Sequence, residues 1–190
     1  MSTKTDSKRQ LIIDKAAELF SVKGYREVTM SDIKDACEIS RGGLYLYYSS
    51  VEEIFKDVVA FFDEDGADMN LADASAAELL LSFIKVQKKE ILRKNNLNAA
   101  TYEFAFSKKA EGDSSMAKKK FDTAVVVLEK ILNKGNETGE FACDDPKSTA
   151  ASMMYAFEGM KVVSASAGIT EKKVDGELVY MMRQFMEVED

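Results

Sequence analysis

The sequence predicts an all-α protein, and three observations carry that expectation. A single proline, Pro146, stands in 190 residues, so few helix ends are enforced and long helices are favoured. Strand-like runs that alternate Val, Ile, Thr or Tyr with polar residues between tight turns are missing. Apolar residues make up 46% of the chain and recur at helical spacing along most of it. Such a chain can hold one sizeable core, or a small module joined to a larger one.

About nine helices are expected. From Lys8 to Lys23, Leu11, Ile12, Ala16, Leu19 and Phe20 form an apolar stripe, and Gly24 ends the helix as a C′ glycine. Thr29 caps a second, short helix with Asp32 at its third position, where the positive helix terminus favours a carboxylate. Ile33, Ala36 and Cys37 give that helix one apolar face. Glu38-Ile39 is the turn, and Ser40 caps a third helix reaching about Tyr48. Ser50-Val-Glu-Glu53 reads as a capping box opening a fourth, whose Ile54, Phe55, Val58, Val59 and Phe62 carry it to about Asp65.

Longer helices follow. Leu71 to Ser75 reads as a loop, then helices span Ala76 to about Arg93 and Asn95 to about Lys109. Glu111-Gly-Asp-Ser-Ser115 is a break before a helix from Met116 to about Asn133, and Gly135 to Asp145 is a turn-rich connector. Asp145-Pro146 is an N-cap followed by proline at the first helical position, starting a helix to about Ala165. The last helix runs from about Glu171 to Val188. A boundary is expected after residue 50, separating a tri-helical module (1–50) from a larger helical domain (51–190).

Composition excludes several functions. There is no histidine, which removes Ser-His-Asp and Cys-His catalysis and the commonest transition-metal ligand. No loop has EF-hand spacing. No enzyme, cofactor or metal site is therefore expected. Two cysteines, Cys37 and Cys143, fit a reduced cytoplasm. No signal peptide and no run near the ~20 apolar residues of a membrane span is present, so a cytoplasmic protein without a membrane partner is expected. Residues 1–50 carry 8 Lys/Arg and 7 Asp/Glu, a net of +1. The remainder carries 18 and 26, a net of −8. A chain this acidic binds nucleic acid only through a local N-terminal face.

Two short helices joined by a tight turn behind a supporting helix describe a helix-turn-helix, spanning about residues 29 to 48. Leu44 and Tyr48, four apart, form an anchoring face toward Leu19, Ile33 and Ala36. At ~100° per residue, Gly42, Gly43 and Leu46 lie opposite, with Arg41, Tyr45 and Tyr47 flanking. Two glycines inside a helix cost about 1 kcal/mol each relative to alanine, a cost tolerated where backbone must come close to something. Arg41 suits a guanine edge or a phosphate. Tyr45 and Tyr47 can donate to phosphates, stack on a thymine methyl, or simply pack. Thr29 and Ser31 offer hydroxyls and N–H groups to a phosphate backbone. The shape alone recurs in helical proteins that bind no DNA.

The wording of the segment is more specific. Ala17-Glu-Leu-Phe20, Lys23-Gly-Tyr25, Thr29-Met-Ser-Asp-Ile33 and Ile39-Ser-Arg-Gly-Gly-Leu-Tyr-Leu-Tyr-Tyr-Ser-Ser-Val-Glu-Glu-Ile54 resemble the signature of the tetracycline-repressor (TetR) family over about residues 8 to 60. The resemblance implies a homodimeric regulator on a palindromic double-stranded operator, released when a small hydrophobic effector enters the C-terminal domain. Carried over, the DNA-contacting candidates are Ser31, Arg41, Gly42, Gly43, Tyr45, Leu46 and Tyr47, with Thr29 added by its place at the start of the second helix. The chain departs from the family at Gly43, usually a small hydroxyl residue, at Leu46, frequently polar, and at Val51, commonly a phosphate-binding lysine. Losing that lysine implies a shallower salt dependence.

In the larger domain Phe62, Phe83, Tyr102, Phe106, Phe121, Met154, Tyr155 and Phe157 either form plain core or line an apolar effector cavity. Glu103 and Glu158 could there meet a cationic ligand. Met153, Met160, Val163, Val174, Leu178, Met181, Met182 and Phe185 read as a pairing surface on the last two helices, with Gly159, Ala156 and Ser152 allowing close approach. A rival reading keeps the dimeric DNA-binding factor and lets the C-terminal domain bind a protein instead of a ligand. Another makes the chain a helical carrier or enzyme without DNA.

Overall fold

The computed structural model describes residues 4–64, 74–93, 97–110 and 115–186. Among the described residues there are nine helices and no strand: α1 Lys4–Lys23, α2 Met30–Ala36, α3 Arg41–Tyr45, α4 Val51–Glu64, α5 Ala76–Leu92, α6 Asn98–Ala110, α7 Ser115–Thr138, α8 Pro146–Ser166 and α9 Glu171–Met182. The all-α expectation holds. The expected loop at Leu71, the break at Glu111 to Asp113 and the helix end at Val188 lie outside the described residues.

Two compact units emerge, and they divide differently from a cut after residue 50. One comprises Met1–Asp68 with Asn95–Gly112, the other Met69–Lys94 with Asp113–Asp190. The reason is packing. Ile54, Phe55 and Val58 of α4, with Ala100 and Phe104 of α6, share one core with Ile12, Phe20, Ile33, Leu44 and Tyr48. Phe55 meets the rings of Phe20, Tyr25 and Phe104 at centroid distances of 4.9, 4.9 and 5.0 Å, within the range where aromatic pairs attract. Position 50 is thus a helix start and not a packing boundary. The chain returns to the first unit for α6 between two helices of the second.

The second unit packs α5, α7, α8 and α9 around Leu80, Ile91, Leu128, Leu132, Phe157 and Val174. Its helices begin where the sequence signals them. Ser75 and Glu78 make a full capping box on α5, and Asp145 accepts the Ser148 N–H at 3.0 Å beside Pro146. Helix α7 runs through Gly135, where a connector was expected. A Cβ at Gly135 would lie 1.9 Å from Cδ2 of Phe141, so this glycine lets a ring lie on the helix rather than breaking it. Gly139, at φ +76°, then turns the chain. Glu140 next accepts the N–H groups of Ala76 and Ala77 at 3.0 and 2.9 Å, satisfying orphan donors in the first turn of α5.

Candidate nucleic-acid interface

Helix α2 is fixed by a capping box. Thr29 Oγ1 accepts the Asp32 N–H, and the Asp32 carboxylate accepts both the N–H and the hydroxyl of Thr29. The other Asp32 oxygen receives Lys23 Nζ at 2.7 Å. The Lys23 hydrogen bond foremost, then those from Thr29, hold the Asp32 carboxyl well below the usual carboxylate range. Thr29 therefore spends its N–H and hydroxyl inside the box, contrary to the expectation that they face a phosphate. Ser31 is exposed, its hydroxyl 3.3 Å from Asp35 Oδ2.

The turn runs through Glu38, the single non-glycine residue among those described with positive φ, at 54°. Ser40 then caps α3 by accepting the Gly43 N–H at 3.0 Å. Leu44 and Tyr48 anchor the segment, 1% and 3% exposed. Helix α3 ends at Tyr45, and the bonds from Tyr47 N and Tyr48 N to Leu44 O close a turn where the helix was expected to continue.

The Tyr48 hydroxyl, just past the turn after α3, sits in a network with α1 and α4 that sequence reasoning missed. It donates to Asp57 Oδ2 at 2.8 Å and accepts from Arg9 Nε at 3.2 Å, while Arg9 also pairs with Asp57. Burial first, then the Asp57 bond, push the Tyr48 hydroxyl up to about 12. Arg9, Tyr48 and Asp57 are 39 and 48 residues apart from end to middle and end to end, so no local spacing could signal them.

With one side anchored, the other is bare. Leu46 is 85% exposed and Tyr45 45%. Arg41 is exposed with its guanidinium 5.5 Å from the Tyr45 ring centroid. Nothing lies within 4 Å of where a Gly42 side chain would begin. Gly43 is different from Gly42: half-buried, with a Cβ position only 3.1 Å from Ser40 Oγ. Tyr47 is half-buried. The outward groups from α3 and its following turn are thus Arg41, Gly42, Tyr45 and Leu46.

The residues expected to line an effector cavity divide between the units. Phe62, whose side chain lies outside those described, belongs to the first with Tyr102, Glu103 and Phe106. Phe106 is 64% exposed. Glu103 does structural work: its Oε2 accepts the N–H groups of Tyr25 and Arg26 at 2.8 and 3.1 Å. Gly24, at φ +79°, leaves the room this carboxylate needs, since a Cβ there would meet it at 2.6 Å. A carboxylate spent on the α1–α2 turn replaces the expected cation partner.

In the second unit Phe83 and Phe157 have ring centroids 6.3 Å apart, and Phe121 and Tyr155 5.0 Å. Met154 and Phe157 are buried and Tyr155 is exposed. Glu158 receives Lys161 Nζ at 3.0 Å, and Glu90 receives it at 2.7 Å. Burial works against the Lys161 charge, but the two carboxylates outweigh it and raise its pKa above the ordinary value. Gln87 is also buried, its Oε1 without a donor among the described residues. A lysine and a glutamine inside an apolar stripe carry no periodic signal that they are buried.

The residues expected to form a pairing surface on α8 and α9 divide between two faces: Ser152, Gly159 and Val163 are exposed, and most of the others are not. Met153, Met160, Val174, Leu178, Met181 and Phe185 lie in the unit's own core. The exposed stripe of α8 is Ser152, Tyr155, Gly159, Val162 and Val163, and on α9 Gly176 and Tyr180 are exposed. Methionines and leucines mark the side of each helix that its own unit needs first.

A short helix pinned by Leu44 and Tyr48 and bare on its far side has the form of a helix-turn-helix. Comparison with known proteins agrees. A family model described as bacterial regulatory proteins, tetR family, matches residues 12–58. An HTH-type transcriptional regulator of Bacillus subtilis, YfiR, is 30% identical over 155 residues, 77% of this chain and 74% of its own. The negative regulator of the biofilm operon icaADBC in Staphylococcus epidermidis, IcaR, is 44% identical over 48 residues, 25% of this chain and 26% of its own. A transcriptional regulator of Saccharomonospora viridis, solved in complex with choline, shares the fold at TM-score 0.78 and 15% identity, over 96% of this chain and 99% of that one. The protein belongs to the TetR family of transcriptional regulators, which are DNA-binding proteins and not enzymes. No helix among the described residues is long and apolar enough to cross a membrane.

Proposed function

We propose that this chain is a cytoplasmic, homodimeric repressor that reads a palindromic operator and leaves it when a small hydrophobic effector binds the second helical unit. The observation that carries the reading is the contrast within eight residues between buried Leu44 and Tyr48 and exposed Arg41, Gly42, Tyr45 and Leu46. Arg41 reads a guanine edge or grips phosphate, Gly42 admits close backbone approach, and Leu46 packs on a thymine methyl. Ser31, Gly43 and Tyr47 complete the contact set, with Thr29 acting through the cap and not by direct contact.

Two copies must present their recognition helices about 34–36 Å apart, one turn of the duplex. The exposed α8 stripe, with Gly159 permitting close approach, and Tyr180 of α9 supply a self-complementary surface of the kind twofold pairing needs. A ligand bound near Phe83, Phe121, Met154 and Phe157 shifts the population toward a dimer whose recognition helices no longer match successive grooves. IcaR is named a negative regulator, which favours repression, and a protein of this fold holds choline, which favours a small-molecule effector.

Selection of bound duplexes from random DNA tests the reading. A palindrome with half-sites one turn apart is expected. The double substitution Arg41→Ala, Tyr45→Ala should lower retention of that palindrome on the order of 100-fold, at ~1–3 kcal/mol per lost specific contact, with the protein still folded. Unchanged retention would sink the assignment.

A further inference from the structure

Beside the outward face of α3 lies a hollow of about 160 Å3, lined by Lys8, Leu11 and Ile12 of α1, and by Ile39, Ser40, Gly43 and Tyr47. Its floor is apolar: Ile12 is buried, Ile39 half-buried and Leu11 partly exposed. The missing side chain of Gly43 keeps it open, because a Cβ there would crowd Ser40 Oγ at 3.1 Å and approach Ile39 Cβ at 3.8 Å.

Each polar side chain of the lining has a proton to donate, and none carries a negative charge. Lys8 contributes an exposed ammonium with no carboxylate partner among the described residues. Ser40 Oγ already accepts the Gly43 N–H, which leaves its proton to give. The Tyr47 hydroxyl has no protein partner among the described residues. No aspartate or glutamate lines the hollow. An ammonium and two hydroxyl donors call for an anion, and the apolar floor calls for a C–H surface attached to it.

A deoxyribose-phosphate unit has both parts. We propose that this hollow seats one sugar-phosphate of the bound duplex, with Lys8 and Tyr47 on the phosphate and Leu11, Ile12 and Ile39 against the sugar. The inference rests on the DNA-binding reading and adds to it a contact from α1, outside the two-helix motif. Such a seat fixes the register of the recognition helix and carries no base specificity of its own.

Salt dependence tests it. Full-length protein, Lys8→Ala, Tyr47→Phe and the control Lys130→Ala are titrated onto the selected palindrome over a series of potassium chloride concentrations. Neutralising one phosphate contributes about 0.9 to the slope of log K against log salt, so losing one seat in each half-site should flatten it by about 1.8. Lys8→Ala is expected to show that change, with affinity at the lowest salt down about tenfold or more. Tyr47→Phe should weaken binding a few-fold with the slope kept, since it removes a neutral donor, and Lys130→Ala should match the parent. A parent-like slope and affinity for Lys8→Ala would overturn the seat. Failure of the parent to retain any duplex would instead refute the DNA reading itself. In a second arm, inorganic phosphate replaces chloride at equal ionic strength. If phosphate weakens the parent and not Lys8→Ala while their chloride slopes agree, the hollow takes a free anion and not the duplex, which also overturns the proposal.

Discussion

Asp32 illustrates how much one side chain can hold. It closes the box with Thr29, receives Lys23 from the preceding helix, and so ties the end of α1 to the start of α2. Its depressed carboxyl contributes stability that is present above the usual value near 4 and is lost as pH falls through the lower folded value. A carbon-detected NMR titration should find Asp32 titrating well below the usual aspartate value, and Lys23→Ala should move it back toward that value. An Asp32 that titrates normally in the parent would mean the Lys23 bond is absent in solution. Thr29 was read as a cap from sequence, correctly, and also as a phosphate donor. It cannot offer the same proton to both, and the nearer carboxylate takes it.

Among elements, α7 separates local propensity from packing. Glycine at 135 resembles a helix end, yet the helix continues to Thr138, and the glycine serves instead to leave the Phe141 ring the space a side chain would need. Alanine there gains about 1 kcal/mol of helix propensity and meets an overpacking cost of about 1–3 kcal/mol. With a ring atom 1.9 Å from the new Cβ the second term wins. Gly135→Ala should lose about 1–2 kcal/mol in urea unfolding, and a gain would show that Phe141 moves aside freely. Several element starts were legible, because Thr29, Ser40 and Asp145 each accept an N–H three residues on, as expected; Ser75 and Thr170 do the same without having been singled out. Helix ends were less so: α3 stops at Tyr45, short of the expected end at about Tyr48, and Tyr48 meets Arg9 and Asp57, 39 and 9 residues away.

For the whole molecule, the exposed α8 stripe makes a sharp prediction. Nothing lies within 4 Å of a Cβ at Gly159, so Gly159→Glu leaves the fold unstrained while placing charge where the proposed homodimer would pair. Sedimentation should find monomer in place of dimer. Operator affinity should fall on the order of 100-fold, as two half-sites lose their linkage. A variant that remains dimeric would move the interface off this stripe.

The sequence by itself determined the fold class, the caps and the anchored helix-turn-helix, since helical periodicity, N-cap chemistry and the Leu44/Tyr48 spacing act within a few residues. Tertiary structure alone decided the rest. It joined α4 and α6 to the first unit, bound Glu103 to the α1–α2 turn, and buried Lys161. It also turned the methionine faces of α8 and α9 inward and brought Lys8 beside Tyr47. Each of these depends on which surfaces meet across long stretches of chain, and apolar periodicity states that a face is buried without stating against what.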